Sequence, residues 1–133
     1  MTFTLEEMFS SGEGDHWYHR NKHLLGNPDV IKRDPVLRLI QQYGLKPARV
    51  LEIGCSNGWR LGEIQRRYGS DCVGVDVSEA AIKDGISRYP VVTFLRGRID
   101  ALPPPLDTTT EKFDLVIVHF VFHWVCREKR SCQ

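Results

Sequence analysis

The stretch Val50-Leu51-Glu52-Ile53-Gly54-Cys55-Ser56-Asn57-Gly58-Trp59 decides the fold. It begins as a short apolar run, typical of a buried strand, and continues into small residues, typical of a tight turn. Gly54 and Gly58 permit a positive φ and let a ligand approach the backbone closely. A helical pattern follows, and the free N–H groups at a helix start form a polar cradle. The stretch therefore predicts a strand, a ligand-binding turn and a helix.

Strands and helices alternate through the rest of the chain. Apolar runs predict strands over 48–53, 72–77, 91–95 and 113–120, and helical spacing with end signals predicts helices over 59–68 and from Ser78 to about 88. Strands that are separated by helices of this length form right-handed crossovers in a parallel sheet. We therefore predict an α/β fold.

The N-terminal third has a different pattern from the alternating region. Residues 15–27 are rich in histidine and aromatic side chains, which favours a helix or an ordered lid. Asp34 is placed as an N-cap, with Pro35 as the first residue of a further helix. We predict an N-terminal helical or lid segment over 1–46 and a core over 47–133.

Length and charge limit the classes of function. The chain has 133 residues, 41% of them hydrophobic, which fits one globular domain. Its 18 Lys and Arg residues nearly balance 17 Asp and Glu residues, for a net charge of +1. This balance gives no electrostatic case for nucleic acid or for an anionic membrane. The four cysteines form no C-x-x-C pair, and the N-terminus lacks the form of a secretion signal, so we predict a cytoplasmic protein.

Two aspartates follow the glycine-rich turn, and the interval from Glu52 to Asp76 equals the interval from Asp76 to Asp100. Asp76 ends the second predicted strand and Asp100 follows the third, so both lie at the same edge of a parallel sheet as Gly54. A carboxylate at the end of the second strand can accept the hydroxyl groups of a ribose. A single aspartate at such a place more often caps a turn. The three elements together favour an adenosine cofactor.

The pattern does not fit a dinucleotide or a nucleoside triphosphate. Starting from Gly54, Ser56 and Trp59 take the places of the second and third glycines of G-x-G-x-x-G, and an indole prevents the close packing that the third glycine allows. No G-x-x-x-x-G-K-[ST] sequence is present.

Four segments resemble class I S-adenosyl-L-methionine (SAM)-dependent methyltransferases in their order. Glu52-x-Gly54-x-Ser56-x-Gly58 resembles the signature E/D-x-G-x-G-x-G, with Ser56 at the middle glycine. Residues 73–82 resemble the ribose-binding strand and its helix, 98–103 the adenine loop, and 113–118 the fourth strand. The resemblance covers roughly residues 48–125 and implies a three-layer Rossmann-like sheet with helices on both faces. Only about the first four of its strands are present.

The resemblance implies SAM as the cofactor and assigns residues to it. Gly54 and the turn backbone would pass the methionine part, Asp76 would bind the ribose, and the Asp100 side chain with the Ala101 backbone would read the adenine edge. The predicted cofactor-binding residues are Glu52, Gly54, Cys55, Ser56, Asn57, Gly58, Asp76, Val77, Ile99, Asp100, Ala101 and His119.

His119 is also the candidate catalytic residue. It ends the fourth predicted strand and faces the expected crevice, where it would act as a base or orient a substrate hydroxyl. A hydrogen-bonded histidine in the wall of the site is the alternative. His16, His19 and His23 share one helical face, but with no cysteine ligand nearby we predict no metal site.

We predict methyl transfer to a small-molecule acceptor, because the sequence has neither a basic patch nor an N-P-P-Y-type motif after the fourth strand. Residues 17–22 add a resemblance to bacterial methyltransferases of sugar and small-molecule biosynthesis. The alternative is a non-catalytic SAM- or nucleotide-binding module that acts through a partner. No residues remain for the later strands of the family, so the fourth strand would form an exposed, apolar sheet edge. We therefore expect a C-terminally truncated chain. A homodimer across that edge is the competing explanation.

Overall fold

The computed structural model describes residues 12–106 and 112–118. The described part of the N-terminal segment contains the helices α1 (Gly14–Asn21), α2 (Pro28–Arg33) and α3 (Pro35–Gln42). Asp34 caps α3 as predicted, because its Oδ2 accepts the Leu37 N–H at 2.9 Å. Helix α2 was not predicted, although Asn27 before Pro28 repeats the pattern of Asp34 before Pro35 and caps α2 in the same way.

Four parallel strands form the sheet. They are β1 (Arg49–Ile53), β2 (Asp71–Asp76), β3 (Thr93–Arg96) and β4 (Leu115–Val118), in the order β3-β2-β1-β4. Helices α4 (Trp59–Tyr68) and α5 (Glu79–Arg88) connect β1 to β2 and β2 to β3. The predicted α/β fold is confirmed, and the carboxyl ends of all four strands lie at one edge of the sheet.

Alternate strand residues pack against different partners. On one face, Val50, Cys72 and Ile117 belong to a core with side chains of α3 and α4, among them Leu37, Ile40, Leu61 and Ile64. On the other face, the strand residues are Leu51, Ile53, Val73 and Val75, and the loop residues Ile99, Leu102, Leu106 and Phe113 cover them. A helical layer on this second face, which the resemblance implied, lies outside the described residues.

Strand β4 forms one edge of the sheet within the described residues, and its Val116 is 52% exposed. The homodimer across this edge stays a prediction. None of the described helices has the length and apolar character needed to cross a membrane.

Candidate active site

A cavity of about 700 Å³ lies at the carboxyl edge of the sheet, beneath the N-terminal segment. Its volume is within the range of small-molecule sites. Predicted cofactor-binding residues that line it are Gly54, Cys55, Ser56, Asp76, Val77 and Ile99. Five others do not line it: Glu52, Asn57, Gly58, Asp100 and Ala101. His119 lies outside the described residues.

The glycine-rich turn is fixed to the neighbouring strand. The N–H groups of Gly54 and Cys55 both donate to the Val75 carbonyl, at 2.7 and 3.0 Å. Gly54 has φ 81°, and Ser56 has φ 55°, a left-handed backbone that is uncommon for a residue with a side chain. The Ser56 Oγ is buried and has no hydrogen-bond partner in the described part of the chain.

Asp76 joins the two turns that border the cavity. Its Oδ1 accepts the Ser56 N–H and its Oδ2 accepts the Ser78 N–H, both at 3.0 Å. Desolvation by the surrounding protein raises the pKa of this carboxyl above its usual range, although both N–H bonds oppose that shift. Each carboxylate oxygen can accept a second hydrogen bond, so the side chain can hold the turns and still accept ribose hydroxyls.

Of the three residues that the sequence predicted in the loop after β3, Ile99 lines the cavity and Asp100 and Ala101 do not. Asp100 is exposed and forms a bidentate ion pair with Arg98, at 3.0 and 2.9 Å. The Ala101 N–H donates to the Arg98 carbonyl at 3.2 Å. Arg98 and Ile99 line the cavity. Asp100 and Ala101 contact Arg98 and do not line the cavity, so their adenine-binding roles stay predictions.

Asn57 has a structural role in this turn. It is 2% exposed, its Oδ1 accepts the Trp59 N–H at 3.2 Å, and its side-chain amide donates to Asp84 at 3.2 Å. These contacts connect the residue before Gly58, the N-cap of α4, to the first residue of α4 and to α5. Asn57 therefore orders the signature turn without lining the cavity.

A buried ionic bridge, formed by Asp34, Arg60 and Glu52, lies beside the turn. The Arg60 guanidinium donates to both Asp34 oxygens, at 3.0 and 2.7 Å, and to Glu52 Oε2. The three residues are at most 7% exposed. Burial raises the pKa of Glu52 to about 7, against the opposing effect of Arg60. Glu52 Oε1 has no hydrogen-bond partner among the described residues.

Sequence reasoning missed this bridge. Asp34 was assigned only a capping role, and Arg60 was not singled out, although an arginine in the first turn of α4, directly after a buried strand and turn, is an unusual core residue. That signal marks Arg60 as paired, but it does not identify the partner.

The N-terminal segment is also attached to α5. Asp15 Oδ1 accepts the Ser78 hydroxyl at 2.6 Å and the Ala80 N–H at 3.1 Å, and the Tyr18 hydroxyl donates to Asp84. The Ser78 bond holds the pKa of Asp15 below its usual range. These contacts place Trp17 and Tyr18 in the cavity wall. Within residues 12–106 and 112–118, no three His, Cys, Asp or Glu side chains are grouped as a metal site requires.

Known proteins are similar to this chain in sequence and in structure. Residues 50–132 match a family model described as a methyltransferase domain. An uncharacterized protein of Rickettsia prowazekii is 34% identical over an alignment of 102 residues, which covers 71% of this chain and 41% of that protein. The structure of PKMT2 from Rickettsia typhi, in complex with AdoHcy, is 34% identical, with a TM-score of 0.50 over 60% of this chain and 16% of that one.

A TehB-like SAM-dependent methyltransferase from Corynebacterium glutamicum has the same fold, at 23% identity and a TM-score of 0.54 over 84% of this chain and 54% of that one. The chain spans less than half the length of the curated relatives it matches, 41% and 46%. The family match and the similar structures confirm the predicted fold and the predicted cofactor class. The chain belongs to the methyltransferase domain family, as a class I, SAM-dependent member.

Proposed function

We propose that this chain binds SAM in the cavity at the carboxyl edge of the sheet, and that its methyl group is transferred to a small-molecule acceptor. The observation that carries the proposal is a cavity in which the signature turn, Asp76 and the N-terminal segment meet. A cofactor site and an acceptor site must share such a space, because methyl transfer requires the two reacting groups to be aligned.

The residues present fit the cofactor. The signature-turn residues Gly54, Cys55 and Ser56 line the cavity, and Asp76 offers carboxylate acceptors there. When bound, SAM supplies an electrophilic methyl group on a positively charged sulfur.

The lining of the cavity supports a small acceptor. Trp17, Tyr18 and Leu24 of the N-terminal segment line it together with the signature turn, and apolar and aromatic walls of this kind are typical of small-molecule sites. The net charge of +1 also gives no attraction for a nucleic acid.

A cytoplasmic location is part of this proposal. Cys55 and Cys72 are free thiols, and both are buried. Desolvation raises the pKa of Cys55, which keeps the thiol protonated and unreactive. Free buried thiols suit a reducing compartment.

Methyl-group transfer from labelled SAM tests the proposal. A cell extract is separated by ultrafiltration into small molecules and macromolecules, and each fraction is incubated with the chain and with its Asp76→Ala variant. We expect label in the small-molecule fraction only, and none with the variant. Label in macromolecules would contradict the acceptor class. SAM binding without any transfer would contradict the activity and favour a non-catalytic binding module.

A further inference from the structure

The ionic bridge connects the N-terminal segment to the signature strand, and the proposed function does not yet use it. Asp34 lies at the junction of α2 and α3, Arg60 lies in the first turn of α4, and Glu52 lies near the end of β1. Asp34 and Arg60 line the cavity, whereas Glu52 lies behind them. One guanidinium therefore holds an N-terminal carboxylate and the acid of the signature together.

The geometry of the bridge makes it sensitive to movement. Both oxygens of Asp34 are engaged by Arg60, and Oδ2 also accepts the Leu37 N–H that caps α3. The planar guanidinium holds two carboxylates only when both lie along its edges. If the α2–α3 junction moved away from α4, Asp34 would leave Arg60 and the guanidinium would turn toward Glu52 alone.

The energetics favour the closed arrangement. Each member of the bridge is at most 7% exposed, so a carboxylate or guanidinium that loses its partner there stays poorly solvated. Separation of a buried ion pair is costly because it leaves an uncompensated charge. Tyr18 and Asp15 hold the other end of the N-terminal segment to α5, so both anchors must release before the cavity opens.

We propose that Asp34 and Arg60 are positioning residues that couple closure of the N-terminal segment to the affinity of the cavity for SAM. The proposal rests on the proposed cofactor site. With the segment closed, Asp34 fixes the Arg60 guanidinium, and Arg60 in turn fixes the Glu52 carboxyl at the base of the signature turn. With the segment open, the turn loses this support on one side.

Coupling of this kind is reciprocal. If closure of the segment raises the affinity for SAM by some factor, then bound SAM must favour the closed segment by the same factor. The change in SAM affinity and the change in segment closure are therefore two measures of one coupling free energy. A residue that merely stabilises the fold, or that merely touches the cofactor, does not link them.

The test uses two variants and a control. Asp34→Asn retains the cap of α3, since asparagine caps as well as aspartate, but it loses the ion pair. Arg60→Lys retains the charge and loses the fork that holds two carboxylates. Asp71→Asn removes a carboxylate whose side chain is 65% exposed, at the start of β2, and serves as the matched control. Thermal denaturation establishes that each variant is folded.

Two readouts are compared for each protein. Calorimetry gives the Kd for SAM. Limited trypsin digestion gives the cleavage rate at the exposed Lys22 and Lys32, with and without SAM, and mass spectrometry identifies the cut sites. We expect SAM to slow cleavage of the wild-type segment. Asp34→Asn should weaken SAM binding by about tenfold and reduce the protection by the same factor. Arg60→Lys should do the same, and Asp71→Asn should do neither.

The outcomes separate this proposal from the cofactor site itself. Unchanged affinity and protection in both variants would overturn the coupling and leave the SAM site intact. Weaker binding with undiminished protection would also overturn it, because the residues would then act locally. If the wild-type chain does not bind SAM, the proposed function fails, and the coupling fails with it. If Asp34→Asn does not fold, Arg60→Lys decides between these results.

Discussion

Gly58, at the start of α4, is the position in the signature turn where a single methyl group should be most damaging. Its φ is 77°, in the left-handed region, and a Cβ built on it would lie 2.5 Å from the Cε1 and Cζ atoms of the Phe94 ring. Phe94 lies in β3 and packs against the core that α3 and α4 share with the sheet. The Gly58→Ala substitution therefore combines backbone strain with overpacking against a side chain that has little room to move.

The magnitude follows from these two terms. A left-handed backbone costs an alanine about 1–2 kcal/mol, and overpacking of a well-packed core costs about 1–3 kcal/mol. The lower entropy of the unfolded alanine chain returns about 0.4–1 kcal/mol. Gly58→Ala should therefore lower the free energy of unfolding by about 1–4.5 kcal/mol, and by about 3 kcal/mol at the middle of each range.

Gly69 provides the matched control. It has φ 67° and ends α4, but a Cβ there would meet nothing within 4 Å. Gly69→Ala therefore introduces the strain without the clash and should cost about 1 kcal/mol. Urea denaturation of both variants measures the difference as a shift of the midpoint at constant slope. Equal destabilisation by the two substitutions would refute the reasoning, as would an unchanged cost of Gly58→Ala after Phe94→Leu removes the ring.

Two further predictions concern the buried polar groups. Burial raises the pKa of Glu52 from 4.5 to about 7; Arg60 opposes this shift, and Asp34 and Asp76 add to it. Between about pH 4.5 and 7 the folded state therefore keeps a proton on Glu52 that the unfolded state has released. The free energy of unfolding should therefore fall as pH rises from about 4.5 to 7, and Glu52→Gln should remove the part of this fall that Glu52 causes. Thermal denaturation of the wild-type chain and of Glu52→Gln across that pH range measures it. Parallel pH profiles for the two proteins would contradict the raised pKa of Glu52. Tyr18→Phe should cost about 1 kcal/mol, because it removes the hydroxyl that joins α1 to Asp84, whereas Tyr43→Phe, at a residue that is 69% exposed, should be neutral in the same denaturation experiment.

Local signals were sufficient to predict most of the fold. Asp34 before Pro35 marks the start of α3, Gly69 ends α4, and Ser78 caps α5 by accepting the Ala81 N–H at 3.1 Å. Each of these signals acts through residues within a few positions along the chain, which is the range over which propensity and capping operate. Asn27 before Pro28 carried the same signal for α2, and the prediction overlooked it.

The contacts that complete the site are of longer range. Arg60 meets Asp34 across 26 residues, and Asp15 meets Ser78 across 63. No local pattern specifies which carboxylate a buried arginine will face, because the choice depends on how the N-terminal helices pack over the sheet. The adenine-binding role that the resemblance implies for Asp100 stays a prediction, and the sequence did not indicate that the short turn after β3 brings Arg98 to the cavity wall.

Calorimetric titration of SAM into the purified 133-residue chain tests the central claim most directly. Asp76→Ala removes the carboxylate that joins the two turns at the cavity wall, and Asp71→Ala removes an exposed carboxylate from the opposite end of β2. The account predicts saturable binding of one SAM per chain that Asp76→Ala abolishes and Asp71→Ala leaves unchanged. Absence of binding by the folded chain, or equal binding by all three proteins, would contradict it.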